Sequence, residues 1–369
     1  MNPIQVPELL APAGDRERLD AALLYGADAV YLGGQEFGMR AAPSNFSEEG
    51  LVEAVRDCHE KGVRVHLTVN TLPRNEEIDA LPQFLSSAKD AGVDAFIIAD
   101  VGVMKLAQKY APGVDIHMST QAGVVNYLTA NTLYDMGAKR VVMARECSLE
   151  EIAEVRAKTP KDLEIEAFVH GALCVSYSGR CYLSEVLMNR SANRGCCAQP
   201  CRQRYDLLDK DGNEILDDNN LPIHQRYLLS LQDMDRSMHL AKMIEAGVTT
   251  FKIEGRLKDR DYVTNIVAFY RQQLDQLIDS NPSLQHASTP SVYRYDFIPN
   301  PQKTFHRGQT DYFLRGRTPN MANWDTPKST GEKIGQVIAI KHNAICVELA
   351  HGITLHNGDG ICYQDKGFA

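Results

Sequence analysis

The chain has 369 residues, 44% of them hydrophobic, enough to bury one large core and a smaller second unit. Its formal charge of -9 excludes a surface that coats polyanions everywhere, although a local cluster of cations still suits nucleic acid. No apolar run is long enough to span a bilayer and the start lacks the parts of a signal peptide, so a reducing cytoplasm is expected, with the nine cysteines free or liganded rather than paired.

Six glycines, each followed by an apolar run, organise the chain: Gly26, Gly62, Gly92, Gly113, Gly137 and Gly247. Each reads as the left-handed stop of a helix, and the β-rich run behind it as a buried parallel strand. The first unit is complete. It has a strand at 8–11, an N-cap at Asp15, apolar Leu19, Ala22 and Leu23 on one helix face, the stop at Gly26 and a strand at 29–32. Further strands are predicted near 64–70, 95–99, 115–118, 140–144, 164–169 and 250–253. Eight strands with helices between most of them predict a closed (β/α)8 TIM-like barrel over residues 1–289; no G-x-G-x-x-G follows a strand to favour an open sheet.

About eighty residues separate strands seven and eight, where a βα unit needs far fewer. This insertion, 171–249, carries Cys174, Cys181, Cys197 and Cys201 in the spacing C-x6-C-x15-C-x3-C. A hairpin is expected at 205–216 around an Asp209–Asn213 turn, which lacks the sixth-position glycine and closing Glu of a calcium loop. Beyond residue 290, alternating runs at 331–340, 344–349 and 355–363 predict a small β-barrel-like domain with Cys346 and Cys362 as packed thiols. The last run ends just before Ala369, which suits a longer parent protein.

In such a barrel, function collects where strands end. Those positions include Asn70, Ser119-Thr-Gln121, Arg145-Glu146, His170-Gly171 and Glu254-Gly-Arg256. Arg145, Glu146, His170, Glu254 and Arg256 are therefore the candidate catalytic residues, and the two guanidiniums suit a carboxylate or phosphate. An insertion starting at this mouth puts the four cysteines above it. Clustered soft thiolates there hold an iron–sulfur cluster or, as the alternative, zinc, although zinc favours paired short C-x2-4-C knuckles.

Around the cysteines Arg180, Arg190, Arg194, Arg202 and Arg204 outnumber acids, and Lys303, His306, Arg307, Arg315 and Arg317 lie among Phe305, Tyr312 and Phe313. Cations interleaved with aromatics suit single-stranded RNA, with Arg180, Arg202, Arg204, Arg307, Arg315 and Arg317 as contacts. The same pattern also describes aromatics packing a second domain onto the barrel under snorkelling arginines.

The stretch Glu166-Ala-Phe-Val-His-Gly171-Ala-Leu-Cys174-Val-Ser-Tyr-Ser-Gly179-Arg-Cys181-Tyr-Leu-Ser184 resembles the signature of the U32 family, historically labelled peptidases or collagenases. The runs from Asn193 to Arg202 and from Phe251 to Arg256 are similar to that family as well. Within it, Asn300–Gly308 and Asp311–Arg317 look most like the branch that 5-hydroxylates a cytidine of 23S rRNA, and less like the branch acting on the wobble uridine of tRNA. The resemblance implies oxygen-independent hydroxylation of an RNA pyrimidine, with a 4Fe-4S cluster on Cys174, Cys181, Cys197 and Cys201, supplied by iron–sulfur assembly machinery. It also implies prephenate as co-substrate, a dicarboxylate for which the rim arginines are a sensible site. The family pattern favours Cys197 over the adjacent Cys196. A peptidase or a non-catalytic RNA-binding protein are the other classes, but neither G-x-S-x-G nor H-E-x-x-H is present.

Overall fold

The computed structural model describes residues 4–39, 45–281, 283–285 and 296–363. The expected boundary near residue 290 lies outside them. Eight parallel strands form the barrel: β1 (Glu8–Pro12), β2 (Ala29–Gly33), β3 (Arg64–Val69), β4 (Ala95–Ile98), β5 (Asp115–Met118), β6 (Arg140–Val142), β7 (Glu164–Gly171) and β8 (Thr250–Ile253). Neighbours pair in chain order, and β8 pairs with both β7 and β1, so the sheet closes on itself.

The local signals act as their chemistry requires. All six predicted glycine stops take positive φ, between 71° and 104°, a region in which a Cβ would meet the following carbonyl. Asp15 caps the first helix, Arg16–Leu24, by accepting the Arg18 N–H, and Leu19, Ala22 and Leu23 are buried. The main core lies between the outward strand faces and the helices. The long helix Arg260–Ser280 supplies Val263, Ile266, Val267 and Leu274 to it. No helix among the described residues is long and apolar enough to cross a membrane.

The insertion leaves from the end of β7 and returns in a short strand, Asp233–Asp235, antiparallel to the β7 end with His170 opposite Asp235. Helix Leu240–Glu245 then serves as the ordinary barrel helix before β8. Inside the insertion the expected hairpin forms. Ile215 N–H donates to Leu207 O, and the Asp209 carboxylate caps its turn by accepting the Asp211 and Asn213 N–H groups.

Residues 297–327 stay with the barrel. The strand Gln309–Thr310 extends the main sheet beside Asp233–Asp235, and Leu314 is buried in the main core. The C-terminal sheet has two strands, Gly335–Lys341 and Ala344–Leu349. The third expected run, 355–363, is turn and coil, because two glycines flanking Asp359 favour a turn over continued pairing. Cys346 is accordingly half-buried and Cys362 exposed, not packed core thiols.

Candidate active site and metal centre

Strand side chains alternate between barrel interior and helix layer, so the inward set of each strand is fixed by parity. At the bottom of the interior those residues are ionic. The Arg140 guanidinium lies 2.9 Å from Glu8, 3.2 Å from Glu166 and 2.5 Å from Glu164, and Arg64 also pairs with Glu8. Burial opposes charge on Glu8, but the Arg140 and Arg64 guanidiniums prevail and hold its carboxyl down at about 2. Lys252 on β8 continues the chain of charges upward, its ammonium 2.7 Å from Glu166. Beside this network His66 and His117 meet edge to face at 4.7 Å, fully buried, and burial holds both well below the ordinary imidazole value.

Above that plug opens a cavity of about 150 Å³. Its floor and walls are Tyr31, Thr68, Ser119, Gln121, Phe168 and Lys252; its rim carries Arg145, Glu254 and Arg256; its roof is Cys174, Cys181, Cys197 and Cys201. Arg145 lies 4.2 Å from the Phe168 ring centre and 3.4 Å from the Glu254 carboxylate. Lys252 sits over Tyr31 at 4.6 Å, so two aromatic faces share the cationic charge gathered here. Arg256 donates to Thr68 Oγ1 at 3.0 Å. Its guanidinium fits because β2 ends in Gly33, where a Cβ would stand 2.3 Å from Arg256 Nη1.

The loop that carries the cysteines is tied down at several points. Glu146 accepts from the Ser178 N–H at 2.8 Å and the Ser178 hydroxyl at 2.6 Å, fixing the turn between Cys174 and Cys181. Arg202 donates to Leu173 O, Leu231 O and Ser230 Oγ at 2.8–2.9 Å, locking the Cys201 turn to the root of the insertion. Cys197 Sγ accepts the Gln199 N–H at 3.4 Å, and burial raises the Cys174 thiol against the opposing pull of the Ser176 N–H. Burial raises the Cys201 thiol; Arg202 opposes it, while Cys174, Cys197 and Cys181 add to the rise, which places the four sulfurs in one neighbourhood. Cys196 is exposed beside Arg194 O and does not line the cavity.

Four thiols around one cavity are soft donors of the kind that hold an iron–sulfur cluster or zinc, and Cys197 also accepts a backbone N–H as cluster-ligating sulfurs do.

Of the predicted catalytic residues, Arg145, Glu254 and Arg256 therefore meet at the cavity. His170 and Glu146 are not among its lining. His170 is buried with Nδ1 3.3 Å from the Tyr270 hydroxyl, and burial lowers its pKa against the pull of Asp235 and Asp233. Two of the predicted RNA contacts are internal as well. Arg202 is the clamp just described, and Arg307 is buried against Asp233 at 2.9 Å with Pro327 O as second partner. The neighbouring aromatics are also packed: Tyr312 is buried and stacked on Phe313, and Phe305 lies beneath Lys258. Arg180, Arg204, Arg315 and Arg317 are exposed.

Lys252, Thr68 and Tyr31 were absent from the sequence expectations. Parity could have found them, since each lies two residues before a rim position on the same strand, Glu254, Asn70 and Gly33.

Residues 14–323 match the profile of Peptidase family U32. The chain is 40% identical over 354 residues to the 23S rRNA 5-hydroxycytidine C2501 synthase of Escherichia coli K12, covering 96% of this chain and 52% of that protein. It thus spans about half the length of that relative. It is 41% identical over 362 residues to tRNA hydroxylation protein P1 of Bacillus subtilis 168, covering 96% of this chain and 82% of the relative. A collagenase of Porphyromonas gingivalis W83 is 38% identical over 278 residues, covering 73% and 65% respectively. With a family profile matched over most of its length, the chain is a member of peptidase family U32.

Proposed function

We propose that this chain is an iron–sulfur-dependent RNA hydroxylase that replaces the C5 hydrogen of an unpaired pyrimidine by hydroxyl without molecular oxygen, with prephenate as the co-substrate that gives up its hydroxyl and is itself reduced by two electrons, taking a hydrogen in exchange. The observation that carries the reading is the convergence of Cys174, Cys181, Cys197 and Cys201 with Arg145, Lys252 and Arg256 on a single cavity. Relatives named for rRNA and tRNA hydroxylation support it from sequence.

When bound, the cluster supplies electron-transfer chemistry. The chain's own residues do the remainder. Arg145 and Arg256 bind the two carboxylates of prephenate, each guanidinium matching a carboxylate edge. Phe168 and Tyr31 wall the cavity against bulk water, which strengthens those contacts. Glu254, the one carboxylate lining the cavity among the described residues, is placed to take the proton that leaves the base. The base reaches the cavity only unstacked, so an unpaired or flipped nucleotide is the substrate.

A cytidine of 23S rRNA is the first candidate substrate. The likeness to the Bacillus subtilis protein, over 82% of its length, keeps the wobble uridine of tRNA as the second. Peptidase chemistry finds little support, because among the described residues no histidine lines the cavity and the Ser178 hydroxyl is engaged by Glu146. The test is anaerobic purification followed by an absorption spectrum with iron and sulfide analysis. Brown protein with about four irons and four sulfides per chain is expected for a 4Fe-4S centre; colourless protein with stoichiometric zinc would sink the redox reading.

A further inference from the structure

Between Cys174 and the helix Leu183–Met188 the insertion alternates in an informative way. Ser178, Gly179, Cys181 and Leu183 face the cavity. The residues interleaved with them face solvent: Tyr177 is 48% exposed, Tyr182 is 62% exposed, and Arg180 is exposed between them. Two large aromatic surfaces and a guanidinium thus stand on the outer side of the same loop that lines the cavity.

This arrangement is held in place. Ser178 adopts a left-handed conformation at φ 45°, strained for a residue with a side chain, and its N–H and hydroxyl are both gripped by Glu146. The Arg180 N–H returns to Tyr177 O, closing the turn. Such anchoring fixes the backbone from which the rings project, so less ordering is needed when a ligand binds.

The local charge favours a polyanion. Residues 174–204 contain five arginines and one acid, Glu185, in a chain whose overall charge is -9. Arg194 is tied to Glu77 and Arg202 is internal, but Arg180, Arg190 and Arg204 stay exposed. Aromatic faces interleaved with cations beside the cavity match single-stranded nucleic acid, whose bases stack while its phosphates meet guanidiniums.

We propose that Tyr177, Arg180 and Tyr182 form a stacking collar that grips the nucleotides on either side of the target base while that base enters the cavity. This rests on the RNA reading above and adds the residues that hold the unstacked strand. Tyr182 stacks on one neighbouring base, Tyr177 on the other, and Arg180 pairs with one of the two phosphates between them. They are positioning residues and do not touch the reacting carbon.

The experiment is fluorescence-anisotropy binding of a labelled, short single-stranded pyrimidine RNA to the full chain across a salt series. Tyr182→Ala and Tyr177→Ala should each weaken binding about 5- to 100-fold with the salt slope unchanged, since stacking releases no counterions. Tyr182→Phe keeps the ring and should restore wild-type affinity. Arg180→Ala should flatten the slope by about 0.7, one phosphate contact on a single strand. Wild-type affinity in both Tyr→Ala variants would overturn the collar while leaving the RNA reading standing. Failure of the wild-type chain to bind RNA would instead sink the reading beneath it. Both tyrosines are well exposed, and unchanged melting of the variants confirms that affinity, not folding, is read.

Discussion

Cys196 and Cys197 differ by one position and point to different fates. Cys197 lines the cavity and accepts a backbone N–H, whereas Cys196 is exposed and turned toward Arg194 O. Cys197→Ser should therefore lose most bound iron and Cys196→Ser should keep it, as measured by iron content after anaerobic purification. Equal iron in both would show that the ligand set has been misassigned. Arg202 and Arg307 test the other part of the residue-scale account. Arg307→Ala leaves Asp233 buried without its ionic partner, with the backbone N–H of residue 307 still donating to it, and should cost about 3–5 kcal/mol, read by denaturant unfolding. Arg202→Ala strips hydrogen bonds from two carbonyls, at a cost of roughly 1–3 kcal/mol for each one left buried and unpaired. Both arginines look like RNA contacts in sequence because a cation beside an aromatic reads the same whether it faces solvent or a carboxylate; only the tertiary partner decides.

The elements explain why some of this was legible. A glycine stop followed by a β-rich run is local chemistry, and six of them place the barrel strands without tertiary information. The insertion stands out by length, and its cysteines by type. Lys252, His66 and His117 do not, because a polar residue inside a short apolar strand looks like noise until the barrel closes and gives it an interior. The missing third C-terminal strand has the opposite cause: its ends are apolar, but Gly358 and Gly360 break the run before it can pair. At this scale the Glu146–Ser178 tie makes a further prediction. Glu146→Gln keeps the shape yet weakens two charge-assisted hydrogen bonds that set the turn before Cys181. Faster loss of iron on exposure to air is the expected result, measured by the decay of visible absorption; identical decay would mean the turn holds itself.

At the scale of the whole molecule, the barrel interior is a column of charge with two neutral imidazoles beside it. His66 and His117 are buried where protonation is strongly disfavoured, so their folded values lie below the ordinary 6.5. The unfolded chain then binds more protons than the folded one below that value, and stability must fall as pH drops. Each histidine contributes a slope of about 1.4 kcal/mol per pH unit across the window between its unfolded and folded values. Glu8, held down at about 2, adds a further loss below its ordinary 4.5. Urea unfolding from pH 7.5 to 5 should show this decline, and a His66→Leu/His117→Leu double variant should flatten it. A plug of paired charges also leaves the upper half of the barrel as a closed cup. The cysteine loop and the rim arginines line that cup together, and in the proposed function every reacting group must meet there.

The central claim is that this cup hydroxylates RNA, and nucleoside mass spectrometry of rRNA and tRNA from cells lacking the gene tests it most directly. Loss of 5-hydroxycytidine from 23S rRNA, or of a 5-hydroxyuridine-derived wobble nucleoside from tRNA, is the expected result. The modification should return with the wild-type gene and stay absent with Cys181→Ser. Both nucleosides at wild-type levels in the deleted cells would contradict it.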